Sequence, residues 1–144
     1  MSLYADTSLL ISYYISDANS LAAQILIHAH TGPLFFTGLH RLEMTNALAL
    51  GIFRYVLTAA QVGSAWSDVE RDLRSGRLQP QPINWMPVFR SAAQWAAQHS
   101  PTAGCRSLDV LHVATAKKLS AHEFYTIDAQ QKTLAKSLGL AVKP

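Results

Sequence analysis

Short apolar runs alternate along this chain with longer stretches whose apolar positions recur every three or four residues. Leu3-Tyr4-Ala5 is such a run; it ends on Asp6 and is followed by Thr7-Ser8, which predicts a buried strand and then hydroxyl residues able to cap a helix. Leu9, Leu10, Tyr13 and Tyr14 repeat at helical spacing. Asn19-Ser20 opens a second helix with an apolar face through Leu21, Ile25, Leu26 and Ala29, stopped by Thr31-Gly32-Pro33. Leu34-Phe35-Phe36-Thr37 predicts a second strand, broken at Gly38. The helix that follows carries Glu43 and an apolar face of Leu42, Ala47, Leu50 and Phe53. Thr58 opens a helix to about Leu73, ended by Ser75-Gly76. Residues 78–83 contain Pro80 and Pro82 and predict only an irregular edge strand.

Residues 84–98 predict a helix that tolerates Pro87 in its first turn, with a loop at Pro101-Thr102-Ala103-Gly104. Ser107 precedes a helix through Leu119. Residues 123–127 form a strand ending on Asp128, residues 130–138 a last helix closed by Gly139, and residues 140–142 a final short strand. Strands alternating with helices or helix pairs argue for an α/β fold around a mostly parallel sheet. A length of 144 residues, with no internal repeat or long linker, predicts a single domain over residues 1–144.

Composition narrows the function. Apolar residues make up 49% of the chain, enough for a core without disulfides, and the single cysteine, Cys105, excludes an internal disulfide or a multi-thiolate metal site. That usage fits a reducing, cytoplasmic setting. The first residues have no basic start and meet Asp6 at once, unlike a secretory signal. No apolar stretch approaches the ~20 residues of a membrane helix. A net charge of +3 permits a polyanionic partner without demanding one.

There are nine acidic residues, and their placement is informative. Open parallel sheets bind ligands beyond the carboxyl ends of their strands. Asp6 and Asp128 fall at two such ends, while Glu43 and Asp109 fall in the first turns of helices. Carboxylates gathered together repel unless protons or cations neutralise them, and hard oxygen ligands suit Mg²⁺ or Mn²⁺. Such an ion can orient a phosphodiester and activate a water, which is metal-dependent nuclease chemistry. Singly, each acid also has a plain structural reading: Asp6 as an N-cap, Asp109 and Glu43 as first-turn acids, Asp128 as a turn residue.

Around them, Thr126 can orient Asp128 or cap locally, and Asn46, one turn after Glu43, can steer that carboxylate or simply pack. His112 shares a helix face with Asp109 and reads more readily as a hydrogen-bonded core histidine than as an acid–base group. Arg41 and Arg106 flank two of the acids; either can contact phosphate, but solvated surface charge is the plainer reading. Cys105 precedes a helix without a legible partner for nucleophilic chemistry. Trp66, Trp85 and Trp95, and the stripe Ala92, Ala93, Ala96 and Ala97, read as packing or as a dimer interface. No G-x-G-x-x-G, P-loop or G-x-S-x-G sequence is present.

Four blocks resemble PIN-domain nucleases: Leu3-Tyr4-Ala5-Asp6-Thr7-Ser8; Leu42-Glu43-Met44-Thr45-Asn46-Ala47-Leu48; Leu108-Asp109-Val110-Leu111-His112-Val113-Ala114-Thr115-Ala116; and Tyr125-Thr126-Ile127-Asp128 with the Gly139 tail. The blocks come in the family's order, and the length is similar to VapC-type toxins of toxin–antitoxin modules. The resemblance implies a three-layer α/β/α sandwich and an acidic pocket of Asp6, Glu43, Asp109 and Asp128 holding one or two Mg²⁺ or Mn²⁺ ions. Ser8 would help by ordering a metal water or the Asp6 carboxylate. It further implies endoribonuclease activity through a metal-activated water, a homodimer, and an antitoxin protein as partner. The alternatives are a catalytically silent PIN-fold module that binds RNA or protein, and a nuclease for structured DNA. With four acids assigned to one pocket, five remain elsewhere against 12 Lys and Arg, a basic surface suited to a polyanion.

Overall fold

In the computed structural model, which describes Met1–Pro144, the apolar run at the start forms strand β1 (Leu3–Ala5) and Thr7 already belongs to helix α1 (Thr7–Tyr14). There follow α2 (Ser20–Ala29), β2 (Leu34–Phe36), α3 (Gly38–Phe53), α4 (Ala59–Ser75), β3 (Leu78–Pro80), α5 (Trp85–Ala103), α6 (Ser107–Lys118), β4 (Glu123–Tyr125), α7 (Ala129–Ser137) and β5 (Ala141–Lys143). The five strands make one sheet in the order β3-β2-β1-β4-β5. The pairs β1–β4, β2–β3 and β4–β5 are all parallel. This is the α/β fold around a parallel sheet that the alternating pattern predicts, consistent with the three-layer α/β/α arrangement that the family resemblance implies.

The chain packs as two compact units, residues 7–82 and residues 1–6 with 83–144. In the first, Leu34 pairs with Leu78 and Phe36 with Pro80. Pro80 lies on an edge strand, where its missing N–H is tolerated. Leu9, Leu10, Ala23, Ile27, Met44, Leu48 and Val69 are buried there. Tyr14 donates its hydroxyl to the buried Asp72 at 2.8 Å, joining α1 to α4. Burial and the Asp72 carboxylate push that phenol far above its ordinary range, so it stays a donor.

In the second unit, β1 runs beside β4 and β4 beside β5, with Leu3 opposite Glu123 and Tyr125 opposite Lys143. Residues 110–116 of α6 are buried without interruption. A helix buried on all sides reads as continuously apolar, so its packing face cannot be told from periodicity.

Several expectations are corrected. On α2, Leu21 and Ile25 are exposed, and Ala23 and Ile27 are buried instead. This helix is apolar nearly all round, so spacing alone does not select its packed stripe. On α3, Leu42 is 69% and Phe53 79% exposed, while Leu39, His40, Met44, Leu48 and Gly51 are buried. The true stripe contains a histidine, whose polarity hides it, and a glycine. A Cβ on Gly51 would come within 2.5 Å of the Leu57 side chain, so close approach explains the glycine. Helix α5 continues through Pro101 to Ala103, past the expected loop. A proline in a last turn removes one helical bond, and Gly104, at φ 67°, closes the helix by donating its N–H to the Ser100 carbonyl at 2.9 Å. Strand β4 stops at Tyr125, so Thr126 and Ile127 belong to the connection before α7.

Candidate active site

Three of the four sequence-selected acids lie in the unit made by residues 1–6 and 83–144. Asp6 follows β1 directly; its N–H donates to the Tyr125 carbonyl at 2.9 Å, continuing the parallel pairing one residue past the strand. Its side chain is almost wholly buried. The fully buried Thr126 donates its hydroxyl to Asp6 Oδ2 at 2.8 Å and accepts the Asp128 N–H on the same oxygen at 3.1 Å. One hydroxyl thus ties the end of β1 to the turn after β4. A buried carboxylate held by a hydrogen bond keeps a fixed orientation, and without such a bond its burial would be costly.

Asp128 is the N-cap of α7; its Oδ1 accepts the Gln131 N–H at 2.7 Å. Asp-x-x-Gln has the spacing of a capping box, in which the Gln side chain returns to the N-cap N–H. Here that N–H is already taken by Thr126, and the Gln131 side chain turns instead to the Asp109 carbonyl, with Nε2 to O at 3.2 Å. Asp109 stands in the first turn of α6. Its Oδ2 accepts from the Arg106 backbone N–H at 3.3 Å and from Arg106 Nε at 3.1 Å. Asp6, Thr126, Asp128, Gln131 and Asp109 therefore form one continuous hydrogen-bonded series. Sequence reasoning missed Gln131. Its signal was the capping spacing, but nothing in the spacing tells where the amide goes.

Cys105 reports the electrostatics. Its thiol lies above its usual range, first because of burial and then because of the Asp109 and Asp128 carboxylates. It donates to the Gln130 carbonyl at 3.3 Å. A thiol pushed upward is a poor nucleophile, as its sequence context suggests. His112, one turn beyond Asp109, is buried and shares a 2.7 Å hydrogen bond through Nδ1 with the Tyr4 hydroxyl. Tyr4 lies two residues before Asp6 and stacks on Phe124. The pair fastens α6 to β1 inside the core, the structural role its sequence context favours.

In the unit of residues 7–82, Glu43 sits on α3 and its Oε1 accepts the Thr7 hydroxyl at 2.7 Å. Thr7 is the first residue of α1 and gives its hydroxyl to Glu43. Asn46, one turn further along α3, is exposed. Ser8 lies in α1 and is exposed. Arg41 stacks over Phe36 and Trp66, at 5.4 and 5.6 Å from the ring centroids, and pairs with Glu70. Exposed on both sides, that pair contributes little.

A family model described as the PIN domain matches residues 3–137. The chain belongs to the PIN-domain family. Solved structures agree on the fold of this PIN chain. One is VapC20 of Mycobacterium tuberculosis, a toxin described as cleaving the sarcin–ricin loop, with TM-score 0.69 and 15% identity over 99% of each chain. Another is FitAcB of Neisseria gonorrhoeae, with TM-score 0.67 and 17% identity over 99% of this chain and 96% of that one. A third, FitAB bound to a DNA fragment, has TM-score 0.67 and 20% identity over 98% and 93%. Among curated proteins none matches significantly.

The donor set of this PIN chain can be weighed against a divalent ion. No three His, Cys, Asp or Glu side chains close into a ready-made metal cage. Mg²⁺ does not require one: it keeps several waters and takes one or two carboxylates. Asp6, Asp109 and Asp128 offer hard oxygens only, the donor type these ions take. The residues fit Mg²⁺ or Mn²⁺.

Proposed function

We propose that this chain is a divalent-cation-dependent endoribonuclease, the toxin of a type II toxin–antitoxin pair, working as one domain over residues 1–144. The observation that carries the reading is the hydrogen-bonded series Asp6–Thr126–Asp128–Gln131–Asp109 in a PIN-domain chain. It links three of the four acids through neutral residues, with Arg106, outside the series, paired to Asp109.

Asp6 and Asp109 are assigned as the residues that hold the ion, directly or through water, with Asp128 at a second ion or an outer-shell water. Glu43 is added to the catalytic set by its sequence block, its carboxylate oriented by Thr7. Ser8 is assigned a helping role from its place in the first block, and Thr126 a supporting one from its bond to Asp6. When bound, Mg²⁺ or Mn²⁺ supplies the positive charge that polarises the phosphodiester and lowers the pKa of the attacking water.

The protein's own work is orientation. Thr126 holds the Asp6 carboxylate through Oδ2, and the Arg106 N–H groups hold Asp109 through Oδ2. Water attacks phosphorus in line and the 3′-oxygen leaves, so the products carry 5′-phosphate and 3′-hydroxyl ends. The ribose 2′-hydroxyl takes no part.

The similar toxin and the Fit complexes support an antitoxin protein as partner, and the reading includes a homodimer and a cytoplasmic setting. No helix is long and apolar enough to cross a membrane. The test is to incubate the purified chain with structured RNAs and matched DNAs in Mg²⁺, Mn²⁺ or EDTA, and to analyse the product ends. RNA cut only with metal, with 5′-phosphate ends, supports the proposal. Recovery of 2′,3′-cyclic phosphate ends contradicts the mechanism, and preferential cutting of DNA contradicts the substrate.

A further inference from the structure

The side chain of Gln131 is fully buried, yet its Oε1 accepts no hydrogen bond. A buried acceptor left without a donor is destabilising, and each case in a native fold asks for a reason. An apolar residue of similar volume would fill this position of α7 without that penalty. The one thing the side-chain amide does there is donate through Nε2 to the Asp109 carbonyl. Its own backbone N–H meanwhile caps onto Asp128 Oδ1. Residue 131 thus grips the backbone that bears one carboxylate and the carboxylate of another, and its two bonds point to different elements, α6 and the N-terminus of α7.

We propose that Gln131 is a positioning residue of the nuclease, its side-chain amide fixing Asp109 against Asp128 so that the two carboxylates present their oxygens to a divalent cation at a set separation. The proposal rests on the metal-dependent reading above. It assigns Gln131 no contact with metal or RNA: it acts through Asp109 and Asp128. Removing the amide leaves the backbone bond to Asp128 and frees only the tie to α6. The loss therefore falls on ion affinity and turnover, not on RNA binding. Outer-shell partners of metal ligands commonly account for about 10–100-fold in affinity or activity.

The experiment compares the full-length wild-type chain with Gln131→Met, which keeps the length and flexibility of the side chain but not the amide, and with Gln131→Leu. Mn²⁺ affinity is measured by calorimetry, kcat and KM on a cleaved RNA, and unfolding temperature in EDTA. Expected for Gln131→Met is Mn²⁺ affinity weakened about 10–100-fold, kcat lowered to match, and KM for RNA unchanged. The unfolding temperature in EDTA should hold or rise, because the unsatisfied Oε1 leaves with the amide. A lower unfolding temperature with wild-type Mn²⁺ affinity and kcat makes Gln131 merely structural and overturns the proposal. If Gln131→Met does not fold, Gln131→Leu is judged by the same criteria. A wild-type chain that neither binds Mn²⁺ nor cleaves RNA overturns the nuclease reading, and this inference with it. Wild-type binding and cleavage with unaltered variants overturn this inference alone.

Discussion

The hydroxyl of Thr126 donates to Asp6 and accepts from the segment that carries Asp128, so one small side chain orients a carboxylate and anchors a helix start. Thr126→Val keeps the shape and removes both bonds. It leaves the Asp6 oxygen and the Asp128 N–H without that partner, and is expected to destabilise the chain by about 1–3 kcal/mol, measured by chemical denaturation. RNA cleavage is expected to fall more steeply than stability alone explains. An unchanged denaturation midpoint removes Thr126 from the account. Cys105 offers a second test, with a definite sign. Burial and the Asp109 and Asp128 charges raise its thiol, so its thiolate fraction at mildly alkaline pH is below that of a free cysteine. Alkylation by iodoacetamide should be slow and should accelerate only at higher pH. Asp109→Asn or Asp128→Asn removes a negative charge, lowers the thiol pKa, and should shift the rate profile toward lower pH. A profile that does not move separates the cysteine from the acids.

At the scale of elements, helix α6 is held to the sheet by the Tyr4–His112 bond and to α7 by Gln131. In a double-mutant cycle of Tyr4→Phe and His112→Leu, the coupling energy should fall at about 0.5–3 kcal/mol, measured by equilibrium unfolding. Additive effects would show that the 2.7 Å bond contributes no net stability. The sequence made much of this level legible. The parallel strand–helix order, the Gly76 stop of α4, the edge character of β3 and the strand end before Asp6 all follow from local rules. The packed faces of α2 and α3 do not. Apolar residues occur on more than one side of each helix, and burial of His40 is tolerated through its Nδ1 bond to the Thr37 N–H, a cap that apolar periodicity does not register. The same distinction holds at the site. The acids could be selected one by one, because Asp6, Asp109 and Asp128 stand where elements begin or end and Glu43 lies early in α3. Of the neutral residues that join them, Thr126 could be selected for its local tie to Asp128, but its bond to Asp6 and the bond of Gln131 to Asp109 could not, because those partners lie far away in sequence and only the fold brings them near.

For the molecule as a whole, the proposal sets a small group of carboxylates in a chain whose net charge is +3. Basic charge outside that group suits an RNA strand, and the carboxylates suit a cation that RNA and protein would share. The central claim is that these acids bind a divalent ion which cleavage requires, and Asp6 is the most deeply buried of them, its carboxylate oriented by Thr126. The most direct measurement compares the wild-type chain with Asp6→Asn, each assayed for Mn²⁺ binding by calorimetry and for RNA cleavage with Mn²⁺ and with EDTA. Circular dichroism is the control for folding. The account predicts that the wild type binds Mn²⁺ and cleaves only with metal, while a folded Asp6→Asn binds Mn²⁺ far more weakly and does not cleave. Cleavage by the wild type in EDTA, or full activity of Asp6→Asn, would contradict it.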